Sequence, residues 1–341
     1  MVELLQTLYV QTQGTLLRLE SETVRISVEG DTVARVPLLR LSAIVVFGNV
    51  TVTPFLIHRC AEDGRSLSWF SRGGRFRARI QGPTTGNVLL RNAQHQAMQE
   101  PERTCHVARQ VIAAKIQNSR QVLLRAAREA DCSADQEQLG SAADRIATVL
   151  TRLQEIRDLN ELRGAEGEAA RAYLGAMTCM IRADREHLAI DKRTRRPPRD
   201  PMNSLLSFLY ALLCGECEAG LEGVGLDPQM GFLHALRPGR PALALDLMEE
   251  FRPVLADRLA LTLINRRQIT TRDFEERGGV YLTEAGRKKV LEAYQRRKEV
   301  EVRHRLLRQQ VPLGLMPHVQ SRLLARYLRG DINVYPPYVH R

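Results

Sequence analysis

Three places in this chain carry side chains able to hold a divalent cation. Glu166 lies in Arg163-Gly164-Ala165-Glu166-Gly167-Glu168; His234 lies in Gly231-Phe232-Leu233-His234; and Asp246 and Glu249 stand three residues apart in Leu245-Asp246-Leu247-Met248-Glu249-Glu250-Phe251-Arg252-Pro253. Carboxylate oxygens with one imidazole, and no matched cysteines, suit Mn²⁺ or Mg²⁺ better than structural zinc. Three protein ligands leave positions open on an octahedral ion, where a phosphate oxygen and an attacking hydroxyl or water sit together, the arrangement for phosphodiester chemistry. Each place also has a plainer reading. Glu166 is a carboxylate near a helix start, favoured there by the helix dipole. His234 is a hydrogen-bonded packing residue. Asp246 and Glu249 form an ion-pair cluster with Arg252. Glu250 falls four residues from Asp246, so spacing does not choose between the two glutamates.

These residues must be positioned by helices. From Leu8 to Ile80 short extended segments alternate with turn residues: Leu8 to Thr12, Thr15 to Leu19, Thr23 to Val28, Val33 to Leu39, Ala43 to Phe47, and a hairpin of Ser66 to Phe70 and Arg75 to Ile80 about Gly73-Gly74. A small, mostly antiparallel β unit over residues 1–86 follows. After Gly86-Asn87, where Asn87 caps a helix opening Val88-Leu89-Leu90, amphipathic stretches take over. Helices are expected near 88–98, 102–130, 139–159, 165–182, 203–219, 242–264 and 283–309, the last opening at Thr283-Glu284. The class is α+β, with a helical catalytic unit over 87–341. Glycines at 164 and 167 are expected to let a backbone, a metal or a phosphate approach Glu166.

The chain has 341 residues, 44% of them hydrophobic, and 50 Lys and Arg against 39 Asp and Glu. The resulting +11 formal charge favours a polyanionic partner, nucleic acid or an anionic surface. No apolar run is expected to approach the ~20 residues that cross a bilayer, and the first residues lack a secretory pattern, so a cytoplasmic protein with no membrane partner is expected. Six cysteines spread over a long chain read as reduced thiols, and Cys214 and Cys217 as packing residues despite their C-x-x-C spacing. The segment Asp191 to Asp200 must be a loop, since Pro197-Pro198 forbid regular helix. Its basic residues hold DNA phosphates, or else it is a solvated connector.

The motifs Arg163-Gly-Ala-Glu-Gly, Arg195-Arg-Pro-Pro-Arg-Asp-Pro-Met-Asn203 running on through Leu205 to Leu213, Gly231-Phe-Leu-His234 and Leu245-Asp-Leu-Met-Glu249-Glu-Phe-Arg-Pro253 occur in that order. Together they resemble the CRISPR-associated spacer-acquisition integrases, the universal adaptation endonucleases of these immune systems, with details near Tyr281 to Gly286 similar to the type I-C branch. The resemblance implies an N-terminal β unit that dimerises and a helical catalytic unit. It implies metal ligands Glu166, His234 and Glu249, with Asp246 as an acidic residue beside them. Arg163, Arg195, Arg196, Arg199, Arg237 and Arg252 are the candidate DNA-binding residues, and Asn203 lies near the active site. The implied partners are double-stranded DNA (protospacer and repeat), a second copy of the chain and a small ferredoxin-like protein. The implied reaction is transesterification by a 3′-hydroxyl, with no nucleotide hydrolysis, in keeping with the lack of a phosphate-binding G-x-x-x-x-G-K-[ST] loop. A general metal-dependent nuclease and a non-catalytic nucleic-acid scaffold are the competing readings.

Overall fold

Period-two alternation and β-branched residues make strands of the first eighty residues. In the structure, a computed structural model that describes residues 6–80, 82, 88–190, 192–194 and 197–340, they form β1 (Gln6–Val10), β2 (Leu16–Glu20), β3 (Thr23–Val28), β4 (Asp31–Pro37), β5 (Leu41–Phe47), β6 (Thr51–Val52), helix α1 (Pro54–Glu62), β7 (Ser66–Phe70) and β8 (Phe76–Ile80). One sheet runs β1-β5-β7-β8 and the other β4-β3-β2-β6. The expectation of a mostly antiparallel unit holds for β2–β3, β3–β4 and β7–β8 and is corrected for the other pairs. Strands β1 and β5, β5 and β7, and β2 and β6 pair in parallel. The sequence reading missed α1, which supplies the crossover that parallel β5 and β7 need. Leu17, Val24, Ile44, Val46, Leu56 and Leu67 form a core between the sheets and α1. The other face of the first sheet, through Val45, Phe47 and Phe70, joins the core of the helical part.

That part comprises α2 (Val88–Gln99), α3 (Pro101–Arg128), α4 (Ser133–Arg152), α5 (Leu159–Gly175), the single turn α6 (Arg185–Leu188), α7 (Pro201–Gly223), α8 (Ala242–Glu249), α9 (Arg258–Asn265), α10 (Glu284–Glu299) and α11 (Met316–Leu328). Three expectations change. The single helix over 242–264 is broken after Glu249, where Pro253 removes a backbone donor and Arg252–Asp257 wind as a π turn. Helix α10 stops at Glu299, followed by the hairpin β11 (Glu301–Arg303) and β12 (Gln310–Pro312); an earlier hairpin, β9 (Phe274–Glu276) with β10 (Val280–Leu282), also interrupts the helices. Helix α11 was not foreseen. Thr283 caps α10 as expected, accepting from Gly286 N. The expected junction at 86/87 and the Asn87 cap lie outside the described residues.

Helix α7 corrects a further expectation, because its 23 residues are long and apolar enough to span a bilayer. Its apolar surface is spent inside the protein: Leu205, Leu206, Leu209 and Leu213 are buried in the core against α8, α11 and the first sheet. Cys214 and Cys217 lie on it as free thiols, and burial pushes both well above the ordinary thiol range.

Candidate active site

Helix α5 opens at Asp158, whose carboxylate accepts from Asn160 N and Glu161 N. Glu166 therefore sits two turns inside the helix, and the dipole reading of this residue fails. Its carboxylate is held instead by Lys115 on α3. Gly164 and Gly167 admit no close backbone, since a side chain at either would meet open space. The expected close approach of protein backbone is absent, and the flank of Glu166 is open.

The segment after Met230 is folded by Asp246, which is only 1% exposed. Its Oδ2 accepts from Phe232 N (2.6 Å) and Leu233 N (2.9 Å), and its Oδ1 accepts from His234 N (2.9 Å) and lies 2.7 Å from His234 Nδ1. Gly231 permits this fit, because a Cβ there would stand 2.6 Å from the Ala242 carbonyl carbon and 2.8 Å from Asp246 Oδ2. Asp246 thus spends both oxygens on orienting the loop and the imidazole, as carboxylates behind ligating histidines do. His234 Nε2 faces Glu249, 3.8 Å from Oε1.

Glu249 is the last residue of α8 and almost wholly enclosed. Oε1 pairs with Arg252 at 2.8 Å. Oε2 pairs with the Lys115 ammonium at 2.7 Å. Burial raises the pKa of this carboxyl, but Arg252, Lys115 and His234 outweigh it and hold the group at about 2. Glu250 turns the other way. Its carboxylate accepts from Tyr335 Oη (2.6 Å), Tyr338 N (2.7 Å) and Gln320 Nε2 (3.2 Å), and burial pushes its pKa up to about 7. Of the two glutamates between which spacing did not choose, Glu249 faces Lys115 and His234, and Glu250 faces Tyr335 and Tyr338.

One ammonium thus bridges Glu166 and Glu249, from α5 and α8, with the imidazole of His234 alongside. Among the described residues no three acidic, histidine or cysteine groups converge into a ready metal cage; the position between the two carboxylates is held by Lys115. The donor set nevertheless fits a hard divalent cation, with two carboxylates already drawn to one positive charge and an imidazole oriented from behind.

A cavity of about 110 Å³ opens beside these groups, lined by Lys115, Glu166, Tyr173, Arg193, Tyr210, Arg252 and Asp257 among others. Tyr210 lies between two guanidiniums, Arg252 at 4.7 Å and Arg193 at 5.4 Å from its ring centre, and its hydroxyl donates to Asp257 Oδ1 at 2.6 Å. Burial pushes Asp257 up to about 6, against the lowering effects of Tyr210 and Arg252. Arg193 donates to Asn203 Oδ1 (2.6 Å) and Ser207 Oγ (3.0 Å); Asn203 Nδ2 donates to Lys192 O (2.8 Å), and Asp200 caps α7 by accepting from Asn203 N (2.7 Å). The described residues of the proline loop, 192–194 and 197–200, are folded around Asn203, which is fully buried.

The candidate DNA-binding arginines divide. Arg252 lines the cavity. Arg163 spends Nε and Nη2 on Leu233 O, at 2.9 and 2.7 Å, bracing the histidine loop. Arg199 and Arg237 are exposed on loops. Arg195 and Arg196 lie outside the described residues. Lys115, Arg193, Tyr210 and Asp257 were not singled out from sequence. Lys115 had a signal, since it falls in the otherwise apolar stripe of Val111, Ile112 and Val122 on α3.

A model of the family described as CRISPR associated protein Cas1 matches residues 8–296. A Moorella thermoacetica protein named CRISPR-associated endonuclease Cas1 is 54% identical over 340 residues, covering 99% of each chain. The fold is similar to that of a Cas1 protein from Thermotoga maritima, with a TM-score of 0.80, 24% identity and coverage of 96% of this chain and 97% of that one. It is also similar to a casposase bound to integration product, with a TM-score of 0.84, 21% identity and coverage of 99% and 95%. The chain belongs to the family of CRISPR-associated Cas1 endonucleases.

Proposed function

We propose that this chain inserts short DNA duplexes into a CRISPR array, with Glu166, His234 and Glu249 holding one Mn²⁺ or Mg²⁺ ion. The observation that carries the reading is that Lys115 holds Glu166 and Glu249 together, with His234 Nε2 3.8 Å from Glu249 Oε1, beside an arginine-lined cavity. When bound, the metal supplies Lewis-acid stabilisation of charge on the phosphoryl group. Lys115 and Arg252 add fixed positive charge to the same place, and Asp246 holds His234 so that Nε2 is presented to the site. A free 3′-hydroxyl attacks a phosphodiester at the edge of a repeat, one P–O bond forms as another breaks, and the displaced strand leaves with its own 3′-hydroxyl. Reversal of this exchange, or entry of water in place of the hydroxyl, gives disintegration and nicking as side activities.

In this reading residues 1–86 form the dimerising unit and 87–341 the catalytic unit, and the protein works in the cytoplasm with a small ferredoxin-like partner, in a system of the type I-C branch. Family membership, the casposase neighbour and the +11 formal charge support the nucleic-acid assignment. The test supplies a duplex with free 3′-hydroxyls, Mn²⁺, the partner and a supercoiled repeat-bearing plasmid. Covalent joining is expected for the natural chain, and loss of at least a hundredfold for Glu166→Ala, His234→Ala and Glu249→Ala, with DNA binding retained. Degradation without joining supports a general nuclease instead, and full activity of all three variants supports neither.

A further inference from the structure

Away from this cavity, where the β7–β8 turn meets the β9–β10 hairpin, four guanidinium side chains border a cleft of about 440 Å³: Arg72, Arg75, Arg277 and Arg287. Two carboxylates stand with them. Glu284 lies 3.7 Å from Arg72 and Glu275 lies 2.8 Å from Arg277, both solvent-exposed pairs of the kind that contribute little and exchange readily. Arg287 is different, for it is only 3% exposed. Its Nη1 donates to Leu282 O at 2.7 Å, while its Nε is buried without a partner. Burial and the neighbouring Arg72 and Arg277 lower its pKa, with Glu284 and Glu275 acting against them. A desolvated cation with one buried donor unsatisfied, in a cleft where four guanidiniums outnumber two carboxylates, calls for an anion.

Both walls of the cleft are built rather than loose. In the β7–β8 turn a Cβ on Gly74, whose φ is +83°, would stand 2.6 Å from the Phe208 ring, so the turn presses directly on α7. In the other hairpin a Cβ on Gly279 would stand 2.6 Å from Pro197 Cβ, and Val280 N donates to Pro198 O at 2.9 Å. The loop that this hairpin grips also carries Arg193, which lines the cavity, and the exposed Arg199. One loop therefore links cationic groups at the cavity to those at the cleft.

We infer that this cleft is a second nucleic-acid contact, gripping backbone phosphates of the DNA strand at a distance from the bond being exchanged. The inference rests on the reading of the chain as a DNA strand-transfer enzyme and adds the surface that holds the substrate outside the reacting centre. Its occupant is a phosphodiester backbone: the donors are guanidiniums, suited to phosphate oxygens.

The full-length double variant Arg72→Glu/Arg277→Glu tests it, since both side chains are more than 60% exposed and their loss leaves the core intact. Binding of a fluorescein-labelled duplex with a single-stranded 3′ end is followed by anisotropy across a salt series in EDTA. The expected result is a dissociation constant raised about tenfold and a log–log salt slope shallower by about one to two. The matched control Arg145→Glu/Arg157→Glu, on α4 and the loop after it, changes the slope by less than half as much. Single-turnover strand transfer at saturating DNA stays within about twofold of the natural chain. An unchanged affinity and slope in the cleft variant overturns the inference. So does a natural chain whose DNA binding is indifferent to the double variant while inorganic phosphate still protects it thermally through Arg287, which marks a free-phosphate site. Failure of the natural chain to bind DNA at all removes the strand-transfer reading itself.

Discussion

At the scale of single residues, Lys115 makes the metal-free and metal-loaded proteins two different electrostatic problems. Without a cation its ammonium is what keeps Glu166 and Glu249 from facing each other across a poorly solvated gap. Replacing it by methionine leaves the fold but removes that screen, so Lys115→Met is expected to lose about 2–3 kcal/mol in EDTA, a buried-pair effect discounted because Glu166 is partly exposed. Added Mn²⁺ should recover that loss through binding to the folded state. Urea denaturation with and without metal checks this, and a deficit that Mn²⁺ does not touch contradicts a metal position between the carboxylates. Asp257 gives a pH signature. Its pKa is raised from 3.8 to about 6 in the folded protein, so the native state binds more protons than the unfolded chain between those values. Its ionisation therefore costs stability as pH rises through that window, on the order of 2–3 kcal/mol. Asp257→Asn removes the cost while keeping an oxygen for Tyr210. Relative to the natural chain the variant should gain stability between pH 4 and pH 7, and equal pH dependence of the two urea midpoints counts against it.

At the scale of elements, α8 is eight residues long and ends at Glu249, which faces Lys115 and His234. It is braced from behind by the segment after α11. Tyr335 and Tyr338 reach Glu250, Tyr338 stacks on Phe251 with ring centres 5.3 Å apart, and Asn118 of α3 ties the parts together. Asn118 Nδ2 donates to Glu250 O (2.8 Å) and Tyr338 O (3.0 Å), and its Oδ1 accepts from His340 N (2.9 Å). With three bonds lost and buried partners stranded, Asn118→Ala should cost about 2–4 kcal/mol. Proteolysis after residue 330 should quicken in step with that loss. A variant as stable and as resistant as the natural chain would show that the brace carries no stability. This brace was not legible in the sequence, because its bonds join residues more than 80 positions apart along the chain, without periodicity. Helices α2, α3 and α7 were legible, because their apolar stripes repeat over many turns.

At the scale of the whole molecule, the order of a β part followed by a helical part could be read from composition, but the parallel pairings could not. The parallel pairing of β5 with β7 depends on the crossover through α1, a helix that the sequence reading did not identify. The carboxylates and histidine of the site were legible as residue types in odd company. Their shared lysine was not, because only tertiary packing brings α3 to α5 and α8. One element that touches both parts is α7. Near its start stand Asn203, Ser207 and Tyr210 beside the cavity. There too Phe208 meets Phe47 of the first sheet and Gly74 of the β7–β8 turn, and near its end Glu218 and Glu222 receive Arg79 of β8. A 23-residue α-helix is a stiff rod of about 34 Å. Joined to the sheet through Arg79 at its end and bordering the candidate site near its start, it spans the two like a lever arm. A lesion at Arg79, which meets the far end of this helix, would therefore masquerade in a genetic screen as a fault of the candidate pocket.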